Sequence, residues 1–446
     1  MHLPIVPPPL GPMITLYTLM GALAAMLANR GLEIFHDGLR PMMPALYEDK
    51  SMTRAQVSAI SFALMIGFFI GFGVPFSIGK VIPLVYLIFL VTDWIGITMP
   101  GSFEKGWYRD SKSLMGLIGS GILGGAWGAF MAVGVGTIPN LAKMMPVDML
   151  NPMTEITPPL ISAFVTFPIL AVGYRFGLKN GLIALLISLV IRQISILLGA
   201  PSGDPWVLAS GTIILLIFAV KATAANVSEG TSEDIEANKE MENMFITRVN
   251  RIKSSIIPIV LLSVLIGIAM NYPVMALDPP QGPLYAEGRK IEAAIALVSI
   301  GIAFFPMKFT TALLSGAMMT FSFFDGAIAI LMPNWIIAGI AVGVWRFIEI
   351  YLIIYLGRLL NKFPSIRTIS DDIRTTIYNA MEIGLLIGSA IAANKIAPGW
   401  GFMIIPAIWW INEYAKAPFV RMGVGPMGVI VVGILANIFK LIGLIH

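Results

Sequence analysis

Long apolar runs, separated by short polar segments, fill almost the whole chain. About 20 apolar residues in a helix cross the ~30 Å hydrocarbon core of a bilayer. The pattern predicts an all-α polytopic membrane protein of about 12–14 transmembrane segments. Three short runs, 206–220, 291–306 and 398–412, suggest re-entrant hairpins. The fourteen candidate segments are 13–29, 55–79, 81–99, 114–138, 156–174, 180–198, 206–220, 254–271, 291–306, 309–332, 335–357, 376–396, 398–412 and 424–445.

The basic residues alternate between successive loops. Of the 29 Lys and Arg residues, 21 lie in the odd-numbered loops and only 4 in the even-numbered loops. Cytoplasmic loops are enriched in Lys and Arg. We therefore expect the odd loops to be cytoplasmic and both termini to lie outside.

The fourteen predicted segments form two groups of seven, which are separated by one long polar stretch. Residues 1–220 form a first predicted repeat, 221–253 a cytoplasmic linker, and 254–446 a second repeat. An odd number of spans per half inverts the second copy relative to the first, which is the architecture of many secondary transporters. The segments 154–169 and 381–396 also share residues at equivalent positions. The sequence thus predicts two inverted-topology repeats with an elevator-like motion.

Composition excludes a soluble protein. Apolar residues make up 57 % of the chain, charged residues 12 %, and the mean hydropathy is +0.85, whereas soluble proteins have about 25 % charged residues. The net charge of +4 is scattered over the loops, so we expect no nucleic-acid partner. With no Cys and three His there is no disulfide, and we predict no metal site and no cofactor.

Polar residues inside apolar segments are the candidates for a substrate or ion site, because burying them in a membrane is costly. Glu155 and Glu382 are the first choice, since each precedes a Ser by seven residues and inverted copies could meet at the midplane. Alternatively Glu155 caps a helix, Glu382 pairs with Lys395 or Arg374, and Asp325 is equally well explained by an ion pair with Arg192. The predicted substrate or ion ligands are Glu155, Ser162, Asp325, Glu382, Ser389, Asn394, Asn412 and Glu413.

A second group of polar residues has a gating or structural role. Arg346 and Glu349 are three residues apart, which favours an ion pair on one helix face. The sequence FFDG followed by Pro333 predicts an interrupted helix around Asp325. The gating or structural candidates are His36, Asp37, Arg40, Asp93, Arg346 and Glu349.

Several motifs resemble one family. The segments FHDGLRPMMPAL, AISFALMIGFFIGFG, TDWIG, PSIRTISDDIRTTIYNAMEIGLLIGS and INEYAKAP are similar to the YhfT family of bacterial inner-membrane proteins. The resemblance is collinear over residues 13–446. It implies a multi-pass protein of the inner membrane and a family regarded as uncharacterised transporters, without a known binding residue to carry over.

We therefore expect a secondary active transporter that moves a small polar metabolite by alternating access, coupled to H⁺ or Na⁺, and no enzymatic activity. The glycines of the fourth span, in GSGILGGAWG, predict a face for close helix packing, which also favours a homodimer. One alternative is the membrane permease of a group-translocating, ascorbate-type sugar system, which would need soluble phosphoryl carriers. Another is an intramembrane enzyme, which would need clustered acidic metal-binding motifs.

Overall fold

The computed structural model of the chain is helical apart from short connections. It describes residues 10–36, 39–48, 50–74, 77, 83–101, 111–142, 144–200, 203–226, 246–277, 284–285, 287–360 and 364–444. Most of the predicted linker, residues 227–245, lies outside the described residues. In the first half the helices are α1 (Leu10–Asn29), α2 (Met43–Tyr47), α3 (Arg54–Phe68), α4 (Tyr86–Thr98), α5 (Ser111–Ala142), α6 (Leu150–Met153), α7 (Thr157–Phe164), α8 (Phe167–Phe176), α9 (Leu178–Leu197) and α10 (Asp204–Asn226).

The second half of the chain is also helical. Its elements are α11 (Ile246–Ser254), α12 (Ile256–Asn271), α13 (Lys290–Ser315), α14 (Phe323–Leu331), α15 (Trp335–Leu360), α16 (Pro364–Ile396), α17 (Gly401–Tyr414) and α18 (Arg421–Leu441). The described residues contain no strand, only two isolated bridges that join Glu33 to Met318 and Leu84 to Ala276. The expected all-α class is confirmed.

Helix length and exposure fit a polytopic membrane protein. Among the described residues, eight helices are long and apolar enough to cross a bilayer, or nine if the pair α11–α12, bent by 60°, forms one span. This is fewer than 12–14, because several apolar runs fold into shorter helices such as α4 and α14, with 13 and 9 residues. Apolar side chains point outward along α9, where Leu186 and Leu197 are 64 % and 76 % exposed. A surface of this kind matches lipid rather than water.

The predicted boundary between spans 291–306 and 309–332 is wrong. Helix α13 runs unbroken from Lys290 to Ser315 and ends at Gly316, whose φ of 66° is the left-handed conformation that glycine adopts readily. Lys308, counted in the sequence as a cytoplasmic loop residue, is therefore inside a helix and buried. The interruption lies after residue 315, and the expected break near Asp325 is present on the N-terminal side of α14.

Extended segments cross between the two halves at two places. After α1 the backbone is extended, and Ile34 N donates to Met318 O (2.8 Å) while Met318 N donates to Leu32 O (2.7 Å). After α12 the same kind of pairing occurs, with Val85 N and Ala276 N each donating across the gap at 2.9 Å. The first crossing joins the segment after α1 to the segment before α14. The second joins the segment after α12 to the segment before α4. Backbone groups freed by the helix breaks are thereby satisfied.

An asparagine ends each of the two first helices and makes the same contact. Asn29, the last residue of α1, donates from Nδ2 to Gly96 O (2.9 Å) and Met99 O (3.0 Å) at the end of α4. Asn271, the last residue of α12, donates to Ala329 O (2.8 Å) and Met332 O (2.9 Å) at the end of α14. In both cases the side-chain amide bonds to carbonyls at the end of a shorter helix, α4 or α14.

Small residues allow α1 and α5 in the first half, and α12 and α15 in the second, to approach closely. On α5, a Cβ at Gly124 would lie 2.3 Å from Gly21 O of α1, so neither position has room for a side chain. In the second half Gly267 of α12 packs in the same way on Val342 of α15. The predicted packing role of the glycine-rich fourth span is confirmed. Its partner is α1 of the same chain, so this face gives no support to the homodimer, which stays a prediction.

Helices α7 and α16, which contain the two similar segments, pack antiparallel. A Cβ at Gly384 would lie 2.7 Å from Leu160 Cα, and one at Gly388 would lie 2.6 Å from Ile156 Cα. As the residue number rises in one helix it falls in the other.

Candidate functional site

The strongest concentration of buried charge lies where the extended segment after α1 meets α13, α14 and α15. We call this group the central charge cluster. Every side chain in it is at most 5 % exposed, although each is polar or charged. Its members are Glu33, Lys308, Ser322, Asp325, Arg346 and Glu349.

Arg346 of α15 is the centre of the cluster. Its NH2 group donates to Glu33 Oε1 (2.6 Å) and to Met319 O (2.7 Å), and its NH1 group donates to Glu349 Oε2 (2.8 Å). Glu33 and Met319 flank the crossing between the two halves. One guanidinium therefore holds both extended segments and its own helix together, in a geometry that a planar group with several donors suits well.

Glu349 is the most heavily bonded carboxylate of the cluster. Lys308 Nζ donates to both of its oxygens at 2.8 Å, and Ser322 Oγ donates to Oε1 at 2.8 Å. Together with the bond from Arg346 this satisfies the carboxylate from three elements. The predicted ion pair between Arg346 and Glu349 is confirmed, and it belongs to a larger network.

Asp325 is placed by the start of α14. Its Oδ2 accepts a hydrogen bond from Ser322 N (2.9 Å) in a capping box, because the residue stands three positions after the N-cap. The second oxygen, Oδ1, is buried and finds no hydrogen-bond donor among the described residues. Asp325 is 0 % exposed.

The cluster does not balance in charge. Three carboxylates, Glu33, Asp325 and Glu349, stand against two cations, Lys308 and Arg346. In a low-dielectric interior an ionised group without a partner is costly, and a buried charge needs a counter-charge or must become neutral. One additional positive charge would therefore make the cluster neutral.

A second polar group borders the cluster. Arg40 is fully buried and donates from NH1 to Ile34 O (3.0 Å) and Phe35 O (2.8 Å), which braces the extended segment after α1. Asp93 of α4 accepts from His36 N at 2.8 Å. The structure thus brings together three of the predicted gating residues, His36, Arg40 and Asp93, while Asp37 lies outside the described residues.

Aromatic rings fill the space between the two polar groups. Phe35 lies between Glu33 and His36 in the chain, and its ring stacks on Phe321 with 5.5 Å between centroids. Tyr86 and Phe89 of α4 contact the same pair. A packed aromatic layer of this kind excludes water and keeps the charges in a low-dielectric setting.

The two glutamates that the sequence favoured have different partners. Glu155 Oε1 pairs with Lys395 Nζ at 2.6 Å, and both side chains are partly exposed. Glu382 accepts from Trp409 Nε1 at 3.0 Å. Ser162 is exposed, whereas Ser389 is buried against Gly425 of α18. The expected convergence of two carboxylates at one point is therefore not what these contacts show, and Lys395 pairs with Glu155 instead of Glu382.

The remaining predicted ligands make local contacts. Asn394 accepts from Gly399 N (2.8 Å), Asn412 exchanges hydrogen bonds with the backbone of Phe419 (3.1 and 3.2 Å), and Glu413 pairs with Arg421. The alternative partner for Asp325 is also wrong, because Arg192 pairs with Asp204 at 3.2 Å.

Glu33 and Lys308 are not among the candidates that the sequence indicates. Glu33 follows the predicted segment 13–29, and Lys308 lies between the predicted segments 291–306 and 309–332. The available signal was Lys308 itself, a single cation within the apolar run FFPMKFTTALL that has no turn residue beside it on its C-terminal side. Glu33 pairs with a residue 313 positions away, a distance at which sequence spacing carries no information.

No three His, Cys, Asp or Glu side chains among the described residues stand close enough to hold a metal ion. The chemistry that the central charge cluster supports is electrostatic: its carboxylates can exchange a proton, a small cation or an amino group.

The chain is similar to one family of proteins over nearly its whole length. A family model described as "YhfT: Protein of unknown function" matches residues 13–445. The chain is 30 % identical over 443 residues to "Uncharacterized protein YhfT" of Escherichia coli (strain K12), which covers 95 % of this chain and 96 % of that protein. No solved structure matches the chain.

Proposed function

The chain belongs to the YhfT family, and from that premise we propose that it is a secondary active transporter. It moves a small polar metabolite across the inner membrane by alternating access, and H⁺ or Na⁺ drives the movement. The observation that carries this proposal is the central charge cluster at the crossing of two interrupted helices.

Helix breaks within the membrane are costly, because they leave backbone groups without helical hydrogen-bond partners. Such backbone groups are tolerated where they are buried in protein or line a cavity. In secondary transporters, discontinuous helices build the substrate and ion sites near the midplane. Here the breaks after α1 and before α14 bring Glu33, Ser322 and Asp325 next to two buried cations. Charges inside a membrane protein mark ion or substrate pathways.

The two halves act in this proposal as inverted repeats. Support comes from the contacts that occur twice: the two backbone crossings, the Asn29 and Asn271 contacts, and the antiparallel packing of α7 on α16. Inverted repeats give a transporter two states of similar energy, since each half can adopt the conformation of the other. Rocking or elevator-like movement of one part against the rest would then open the site to either side in turn.

The proposed orientation has the odd-numbered loops in the cytoplasm and both termini outside. Contacts between loops support it. Arg248 of the seventh loop pairs with Glu48 of the first (2.7 Å), and the Arg251 guanidinium lies 3.8 Å from the centre of the Tyr47 ring. Asn437 near the C-terminus bonds to Val147 of the fourth loop. The proposal places the first and seventh loops on one side, and it places the fourth loop and the C-terminal end of α18, where Asn437 lies, on the other.

Reconstitution tests the transport function. We expect liposomes that contain the purified protein to accumulate at least one compound from a defined mixture of amino acids, sugar phosphates and dicarboxylates, measured by mass spectrometry. Accumulation should depend on an imposed pH or Na⁺ gradient, which separates coupled transport from a leak. Protein-free liposomes are the control. Folded protein that accumulates nothing from the mixture under any gradient would count against the proposal.

The repeated asparagine contact predicts matched effects in the two halves. Replacing Asn29 or Asn271 by leucine removes the side-chain donor from two helix-end carbonyls. Met99 O and Ala329 O keep a hydrogen bond from Arg54 and from Met332 N, so Gly96 O and Met332 O are the carbonyls that lose their donor, and an unsatisfied buried group costs about 1–3 kcal/mol. We expect Asn29→Leu and Asn271→Leu to lower the thermal unfolding temperature by similar amounts. Asn180→Leu is the matched control, because Asn180 bonds only to its local Phe176 O. A large effect at one asparagine and none at the other would argue against equivalent repeats.

A further inference from the structure

We propose that the coupling ion is a proton and that Asp325 carries it. This inference rests on the transport function proposed above and names both its ion and the residue that binds it. The proton would form an O–H bond with Asp325 Oδ1, while Oδ2 keeps its hydrogen bond from Ser322 N. Release of the same proton restores the carboxylate, so the step needs no other reactant.

The ion pairs of the cluster single out Asp325. Lys308 contacts both oxygens of Glu349, and Arg346 contacts Glu349 and Glu33, each within 2.8 Å. Within the cluster, the ion pairs of these two cations are therefore with Glu33 and Glu349. Asp325 accepts from a backbone N–H and has one buried oxygen with no donor in the described part of the chain. It is the carboxylate that lacks a cation of its own.

The surroundings favour a proton over a metal ion. A hard cation requires several oxygen ligands at once, whereas a proton needs a single lone pair. The side chains that pack on the neighbouring Gly326 are Met270, Leu277 and Leu297, all apolar. A neutral carboxylic acid suits such an environment, and an ion with a demanding ligand shell does not.

The charges that act on Asp325 come from two helices. Arg346 and Glu349 face it from α15, and Lys308 from α13. Helix α12, which also packs on α14, has no ionisable residue between Ile256 and Asn271. With Glu33 and Glu349 ionised, the two cations are already neutralised, so a protonated Asp325 makes the cluster neutral. Loss of that proton leaves one unbalanced negative charge, which a conformational change or a cationic substrate group must offset.

Infrared difference spectroscopy of the purified full-length protein tests the assignment. We expect a C=O stretching band of a protonated carboxylic acid to appear as the pH is lowered, to be absent in Asp325→Asn, and to persist in Glu287→Gln, whose side chain is exposed. Exchange of K⁺ for Na⁺ should leave the band unchanged. Labelling of aspartate carboxyl groups with ¹³C should shift it in the unmodified protein, which gives a result even if Asp325→Asn does not fold.

Three results would overturn the assignment: a band that survives Asp325→Asn, a band that does not move with ¹³C-aspartate, or a band that Na⁺ removes. Because the readout is proton binding, it does not depend on uptake. Transport without an Asp325 band refutes only the proton site, whereas an Asp325 band in a protein that transports nothing refutes only the transport function.

Discussion

Replacing Arg346 by methionine is expected to destabilise the protein more than any other single substitution in the central charge cluster. The variant removes the Arg346 hydrogen bonds to Glu33 Oε1, to Met319 O and to Glu349 Oε2, and Glu349 keeps only its bonds from Lys308 and Ser322 among those described. Breaking a buried ion pair from one side costs about 3–5 kcal/mol, because the remaining charge stays in a low-dielectric site. We expect a large fall in the thermal unfolding temperature and aggregation during size-exclusion chromatography in detergent.

Two further variants separate lost charge from lost packing. Arg289→Met removes an arginine that is exposed and paired with Glu287, so its unfolding transition should stay close to that of the parent protein. Arg346→Met combined with Glu33→Gln removes one of the stranded charges and should recover part of the stability. An Arg346→Met protein that unfolds at the parent temperature would show that the cluster contributes nothing to the fold.

Glu33→Gln is expected to abolish gradient-driven accumulation while the protein still folds. Glutamine has the shape of glutamate, and Arg346 keeps its bonds to Glu349 and to Met319 O. The charge of the cluster changes, however. Two carboxylates then face two cations, so Asp325 can remain ionised without an additional proton. Transport should lose its coupling because the binding of the ion is no longer required in the cycle.

The measurement compares two modes of transport in the same liposomes. Accumulation driven by a pH gradient should fall to the level of protein-free liposomes, whereas exchange of labelled for unlabelled substrate at equal pH should persist. Glu287→Gln, which neutralises an exposed carboxylate outside the cluster, should accumulate substrate like the parent protein. Unchanged accumulation in Glu33→Gln would contradict the charge balance on which this prediction depends.

Part of the site could be predicted from local sequence patterns. Arg346 and Glu349 are one helical turn apart, so their ion pair follows from helix geometry alone. A break near Asp325 was also predictable from the sequence, although Asp325 and Gly326 themselves lie inside α14 and the break precedes that helix. The glycines of α5 predicted close helix packing, and the structure supplies the partner, Gly21 of α1.

The partners of the other candidates could not be predicted from local patterns. Two similar segments contain Glu155 and Glu382, yet similarity between segments does not determine what a side chain contacts. Glu155 pairs with Lys395, 240 residues away, and Glu382 with Trp409. The sequence places Lys308 in the short gap between two apolar runs, whereas its ion pair with Glu349 joins residues 41 positions apart, which local spacing does not indicate.

The sequence by itself determined the membrane class, the family and most of the helices, because hydrophobic length and basic loop residues act locally along the chain. Only the tertiary structure decided which charges meet. Glu33, Lys308 and Arg346 come from three separate segments, and their contact depends on a crossing of interrupted helices that is set by packing between the two halves. In a low-dielectric interior the strength of an ion pair depends on the distance in space between the two charges. Residues far apart in the sequence can therefore be partners.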